Sequence, residues 1–213
     1  IESLTPAIAD SAELAFKEAS DSGSLLNGET ITVIRADSTC NDPNAAIAAA
    51  EGVIAQGVTA ILGAVCSEAT ETIFLESALT SRVVMISPAS TSSSLNDIDD
   101  KGFFRISPSD SRGGQILADI TKDRKIKKVA ITYTDSNYEK NLAYAYKEAA
   151  EKHGIKVTTI ISHEKNKDDY SSEVATLVAA EGDTIALISD IDQGGKEIIQ
   201  ASIDLGAFKK FIL

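Results

Sequence analysis

The sequence predicts an α/β protein of two lobes, each built on a parallel sheet, and three observations carry that expectation. Short apolar, β-branched runs begin near Ile31 (ITVIRA), Val58 (VTAIL), Val83 (VVMIS), Val129 (VAITY), Val157 (VTTII), Ile185 (IALIS) and Phe211. Helical stretches separate most of them, so the starts fall about 25–28 residues apart, the length of a strand, a helix and two short loops. Apolar strands alternating with helices imply a parallel sheet covered on both faces. The rhythm breaks once, between Pro88 and Ser111.

Each element has its own local signals. Thr5-Pro6 opens a first helix with Ile8, Ala12, Ala15, Phe16 and Ala19 on its inner face. After the run at Ile31, Asp42-Pro43 caps and opens a second helix that Gly57 closes. The stretch ILGAVCSEATET then ends an apolar run at Gly63, passes a cysteine at Cys66, and enters Ser67-Glu68-Ala69-Thr70, which reads as the first turn of a helix. The irregular segment PASTSSSLNDIDDKGFFRISPSDS is rich in Ser, Asp and Pro, with a short strand at Phe103–Ser107. Loops this long in compact domains are usually functional or mark boundaries, so lobe one is expected over 1–106 and lobe two over 107–213. In the second half, Asn137 to His153 is helical and stopped by Gly154, and Gly206 ends a helix starting near Gly194.

Composition narrows the functions. The chain has 213 residues, 43% of them hydrophobic, enough for one large core or two small ones. Its formal charge of -12 offers no basic face for nucleic acid and disfavours anionic membrane surfaces. No apolar run approaches the ~20 residues that span a bilayer, so no membrane insertion is expected. The chain opens at Ile1, which is expected of a processed product or a fragment. Cys40 and Cys66 have two readings. They are buried inert thiols, or they pair, because each follows the carboxyl end of an expected strand. A bridge closing that loop would contribute roughly 3–3.5 kcal/mol and would imply an oxidising compartment.

Signatures of chemistry are thin. No G-x-G-x-x-G follows a strand, so no dinucleotide cofactor is expected. DQGGKE, Asp192 to Glu197, lacks the first glycine of a phosphate loop and has Glu197 where a magnesium-binding hydroxyl belongs. His153 precedes a helix-stopping glycine and His163 lies in a charged stretch, and both read as surface histidines. Asp190 and Asp192 have no further ligand spacing, so no metal is expected. What remains are the strand-to-helix junctions AVCSEAT, ISPASTSSS, YTDSNYEKN and ISDIDQGGK. In open parallel sheets ligands bind outside the carboxyl ends of the strands. The first two junctions are dense in hydroxyls and small residues, a chemistry that suits a carboxylate, though serines and threonines also cap helices for purely structural reasons.

Four segments taken in order, DPNAAIAAAEGVIAQGVTAILGAVCSEAT, VVMISPASTSSSL, FFRISPSD and KKVAITYTDSNYEKNLA, resemble the type I periplasmic solute-binding proteins of ABC transporters. The similarity is strongest to the leucine/isoleucine/valine-binding branch. The resemblance implies two Rossmann-like lobes closing on an amino acid, of branched-chain type or a similar small carboxylate. It makes Ser67 and Thr91 the hydroxyls on the α-carboxylate, with Ser90 in the same turn. Ala89 offers a carbonyl near the ammonium, and Tyr138 arrives from lobe two. The junction residues Ser67, Ala89, Tyr138 and Asp190 are expected on the cleft walls. Some members carry a disulfide matching Cys40–Cys66. The implied partner is an ABC-transporter permease, and the implied location is the periplasm, or the outer surface of a Gram-positive cell with a membrane anchor. Neither catalysis nor a cofactor is implied. A receptor's sensor domain of the same fold is the first alternative and an α/β enzyme the second. Two positions depart from the pattern: Glu139 stands where the family has glycine after the tyrosine, and Ile191 where it has tyrosine. The family also begins with a strand ahead of the Thr5 helix and continues past Leu213, so a chain incomplete at both ends is expected.

Overall fold

A computed structural model describes residues 5–40, 42–98 and 101–213. The chain divides into two compact units, one of Ile1–Ser90 with Asp100–Ser107, the other of Thr91–Asp99 with Pro108–Leu213. The segment Thr91–Asp99, expected in lobe one, therefore packs with the second unit. It is tied there by the Asp110 N–H donating to the Thr91 carbonyl at 2.8 Å, and by Asn141 Nδ2 donating to the Ser92 side chain at Oγ, 2.9 Å away. A compositional break marks where a boundary lies, but hydrogen bonds decide which side each residue joins.

Unit one begins with helix α1 (Thr5–Asp21) and α2 (Pro43–Ile54), where Asp42 Oδ1 accepts from the N–H groups of Asn44 and Ala45. Strand β1 (Ala60–Leu62) follows. Next, α3 (Ser67–Ile73) runs through a π-helical turn (Phe74–Ala78) into α4 (Leu79–Ser81). Strands β2 (Val84–Ser87) and β3 (Phe103–Arg105) complete a parallel sheet in the order β1-β2-β3. Side chains alternate across a strand, so the register sends Ile61, Met85 and Phe103 to one face. That face is packed: Met85 and Phe74 are fully buried, and the Phe74 and Phe103 rings lie 5.4 Å apart. The opposite row, Leu62, Ile86 and Phe104, belongs to a face that stays open, with Leu62 44%, Val84 38% and Phe104 53% exposed. Among the described residues, cover on both faces, expected for each sheet, does not hold for this one.

The run ITVIRA, expected as a strand, is not one. A strand needs a ladder partner, and among the described residues none pairs with 31–36. Ile31, Val33 and Ile34 stay exposed, and the segment is held instead to α1. Ile31 N–H donates to Ser20 Oγ at 3.0 Å, and Arg35 pairs with Asp10 at 2.7 Å and with Glu13. The inner face expected for α1 is correspondingly shallow: Ile8, Ala12, Phe16 and Ala19 are half-buried and Ala15 is exposed.

Unit two is a four-stranded parallel sheet in the order β5-β4-β6-β7, from β4 (Lys128–Thr134), β5 (Lys156–His163), β6 (Thr184–Ile188) and β7 (Lys210–Ile212). Helices α5 (Asp110–Asp123) and α6 (Asn137–Lys152) cover one face, with Tyr146 of α6 in one core with Val129 and Ile131. Helices α7 (Ser171–Ala179) and α8 (Gly195–Asp204) cover the other, with Leu177 of α7 in one core with Ala130 and Ile185. Period-two alternation in β4 sends Val129 and Ile131 one way and Ala130 the other, so each strand feeds both cores. Gly114 lets α5 approach α6 closely, since a Cβ there would fall 2.6 Å from the Tyr146 nitrogen.

Candidate functional site

At the carboxyl ends of β1 and β2, three hydroxyls converge on one backbone oxygen. The Ala64 carbonyl accepts from Ser87 Oγ at 2.7 Å, from Thr70 Oγ1 at 3.0 Å and from Ser90 Oγ at 3.3 Å. Ser90 Oγ also reaches Thr70 Oγ1 at 2.7 Å and the Val65 carbonyl at 3.2 Å, and its N–H donates to Ser87 Oγ at 3.0 Å. Thr70 and Ser87 are fully buried and Ser90 is 1% exposed, so these polar groups must satisfy one another. Their effect is to tie the chain after β1 to the turn after β2, the turn that carries Ala89. Ser90, expected to face a ligand, is instead spent on this internal network and acts by positioning its neighbours.

Cys40 and Cys66 are joined in a disulfide, with Cα atoms 5.6 Å apart. Of the two sequence readings, inert thiols and a bridge, the bridge is the one present, although the first of the two expected strands is not a strand. Cys66 occupies the cap position of α3 and makes no side-chain capping bond, so Ser67 is the first helical residue and not the cap. The capping role that competes with a ligand role for any serine at a helix start is therefore not the one Ser67 plays.

In unit two, Tyr138 lies in the first turn of α6, 39% exposed, with its hydroxyl bonded to the Thr91 side chain. Burial raises its pKa, and the carboxylates of Asp110, Glu139 and Asp190 push the same way. Thr91, expected beside Ser67 in lobe one, is thus a companion of Tyr138. Glu139, the departure from glycine, has a local explanation. Ser136 caps α6 by accepting from the Glu139 N–H at 3.3 Å while its own hydroxyl donates to the Glu139 carboxylate, so Glu139 is the buried end of a capping arrangement. The S-x-x-E spacing is a signal that was open to sequence reading. Asp190 is exposed at the end of β6, its carboxylate accepting from Gln193 Nε2 at 3.0 Å, and Ile191 is exposed beside it.

One expectation is overturned outright. His163, read as a surface residue, ends the edge strand β5 at 2% exposure, because side chains from β4, the end of β6 and Tyr170 close around it. Its neighbours are Thr132, Thr134 and Ser189 from the ends of β4 and β6, and burial lowers its pKa to about 4. His153, at the end of α6, pairs with Asp119 at 2.6 Å. Among the described residues no group of three or more metal-binding side chains occurs, and no helix is long and apolar enough to cross a membrane.

The family described as the receptor family ligand binding region matches residues 7–212. The chain belongs to that family. Among curated proteins, it is 25% identical over 192 residues to an amino acid binding protein of Pseudomonas aeruginosa, covering 88% of this chain and 50% of that one. It is 27% identical over 170 residues to the Leu/Ile/Val/Thr-binding protein of Salmonella typhimurium, covering 78% and 45%. Among solved structures, an ABC transporter substrate-binding protein of Desulfitobacterium hafniense in complex with Leu superimposes with a TM-score of 0.72 at 25% identity, over 95% of this chain and 60% of that one. A leucine-, isoleucine-, valine-, threonine- and alanine-binding protein of Brucella ovis shares the fold with a TM-score of 0.74 at 21% identity, over 97% and 55%. These are binding proteins, and the α/β architecture with parallel sheets is that of the type I periplasmic binding fold. The chain spans about half the length of the curated relatives it matches.

Proposed function

We propose that the chain is part of an extracytoplasmic solute-binding protein that captures an amino acid or similar small carboxylate and passes it to an ABC-transporter permease without chemistry. The observation that carries this reading is the strand-end network of unit one. It fixes Ser67 and the Ala89 turn at the carboxyl ends of β1 and β2, where parallel sheets bind ligands, with hydroxyls and backbone groups rather than a nucleophile and base. Ser67, Ala89, Thr91, Tyr138 and Asp190 are the residues assigned to the ligand. The Cys40–Cys66 disulfide supports a periplasmic or cell-surface location, since such bonds persist in oxidising compartments. The names of the relatives support an amino acid as cargo.

Isothermal titration and thermal shift with L-leucine, other small amino acids and small aromatic carboxylates test the reading. A cognate ligand binds without turnover, and at a hundredfold excess over Kd it stabilises the protein by about 2.7 kcal/mol. Turnover of the ligand, or no binding of any amino acid or carboxylate, would overturn it. The family's description as a receptor ligand-binding region favours a second reading, a sensor domain that reports the same ligand to a signalling segment. Transport of the ligand by cells lacking the gene would separate the two.

A further inference from the structure

The carboxyl ends of β4, β5 and β6 hold a set of polar side chains that the ligand reading does not use: the buried Thr132, Thr134 and His163, and the half-buried Ser189. Each hydroxyl has one hydrogen to give, which makes the directions of the bonds deducible. Ser189 Oγ donates to the Asp190 carbonyl at 3.1 Å, and Thr134 Oγ1 donates to Ser189 Oγ at 2.8 Å. With that hydrogen committed, Thr134 Oγ1 meets His163 Nε2, 3.3 Å away, only as an acceptor, so Nε2 carries a hydrogen. A neutral imidazole has one, so Nδ1 is bare and accepts from the Thr132 hydroxyl at 2.8 Å.

We propose that His163, as the Nε2–H tautomer, is a positioning residue for the Asp190 turn, heading a one-way chain of hydrogen bonds through Thr134 and Ser189 to the Asp190 carbonyl. That carbonyl also accepts from the N–H groups of Gln193 at 3.1 Å and Gly195 at 3.3 Å, the bonds that close the turn into α8. The ring is held on its other side by Tyr170, whose ring meets it edge to face with centroids 5.8 Å apart. Tyr170 is itself fixed, donating to the Glu164 carbonyl at 2.8 Å and accepting from the Lys167 N–H at 3.0 Å. Its hydroxyl lies against Gly194, where a Cβ would fall 2.2 Å away and φ is +119°. The turn is thus clamped between Tyr170 and the His163 chain. Of the charged groups nearby, the Glu173 carboxylate favours protonating the ring, and burial opposes it more strongly and keeps the ring neutral.

The proposal rests on the ligand reading only in its consequence, because Asp190 is one of the residues assigned to the ligand. Nitrogen NMR of the wild-type imidazole at pH 7 should give the Nε2–H tautomer, and the Nδ1–H form or a charged ring would overturn the proposal even if no variant folded. Glutamine can place an amide N–H where Nε2–H stands, whereas asparagine replaces the Nδ1 side alone. In His163→Gln the amides of Gln193 and Gly195 should therefore exchange hydrogen at wild-type rates. In His163→Asn and Thr134→Val they should exchange about tenfold faster, the loss of roughly one hydrogen bond. Equal rates in all three variants would overturn the proposal. With L-leucine as probe, His163→Asn should weaken binding by about tenfold and His163→Gln should not. Failure of L-leucine to bind wild type would count against the ligand reading, while the tautomer and exchange rates would still decide the role of His163.

Discussion

At the ends of β1 and β2, Ser67 opens a helix while Ser90 is buried among Thr70 and two carbonyls, and replacing each by alanine separates binding from stability. Ser67→Ala should weaken binding of the cognate ligand by one to two decades, since a hydrogen bond to a carboxylate contributes roughly 1.5–3 kcal/mol. Ser90→Ala should instead cost about 1–3 kcal/mol of unfolding free energy, because it leaves buried partners unsatisfied. Titration calorimetry and urea unfolding of the pair check both, and a reversed pattern would exchange the two roles. His163 adds a pH dependence. Its pKa is about 4 in the folded protein against an ordinary 6.5, so between those values the unfolded chain binds more protons than the native one. The contribution is complete above pH 6.5, is lost as pH falls toward 4, and totals about 3 kcal/mol. Urea unfolding at pH 7 and pH 4.5 should show the wild type losing more stability than His163→Gln by an amount of that order.

At the scale of elements, β-branched composition is not enough to make a strand. ITVIRA has it and lacks a described ladder partner. FFRIS supplies only three strand residues, Phe103–Arg105, yet forms β3 because β2 lies alongside in register. The disulfide works at the same scale, anchoring the end of that unpaired segment to the cap of α3. Reduction should lower the unfolding free energy by roughly 3–3.5 kcal/mol on the chain-entropy estimate for the loop it closes. Denaturant titrations with and without a thiol reductant measure this, and coincident curves would show that the bridge adds no stability.

For the molecule as a whole, the two sheets differ in what covers them. Unit two buries both faces, whereas unit one leaves Leu62, Val84 and Phe104 exposed along one. A contiguous apolar patch of this kind binds hydrophobic dyes and promotes association. The chain should therefore enhance the fluorescence of an anilinonaphthalene sulfonate at neutral pH, and Phe104→Lys should reduce that enhancement at least twofold while leaving the fold intact, a rough expectation for removing the most exposed of the three side chains. Unchanged fluorescence in the variant would place the dye elsewhere.

Sequence alone determined the α/β class, the parallel sheets and the positions of most helix ends, because these rest on local physics. Asp42-Pro43 caps α2 by itself, Gly206 takes a positive φ by itself, and the alternation in β4 records two buried faces in one strand. It also marked Ser67, Ala89, Tyr138 and Asp190 as strand-end residues, since that follows from where apolar runs stop. What it could not determine is how each polar side chain is used. Ser67 and Ser90 look alike in sequence and are both buried, at 8% and 1% exposure, and only the convergence of Ser87 and Thr70 on the Ala64 carbonyl shows that Ser90 is committed to an internal network. His163 stands before a charged stretch in sequence, but in space its ring lies against Thr132 and Thr134 of the neighbouring β4, Ser189 after β6 and the Tyr170 ring, so its burial is a property of tertiary packing. Thr91 meets Tyr138 because the segment after β2 belongs to unit two. A hydrogen bond between residues far apart in the chain exists only once the fold has brought them together, and no local pattern encodes it.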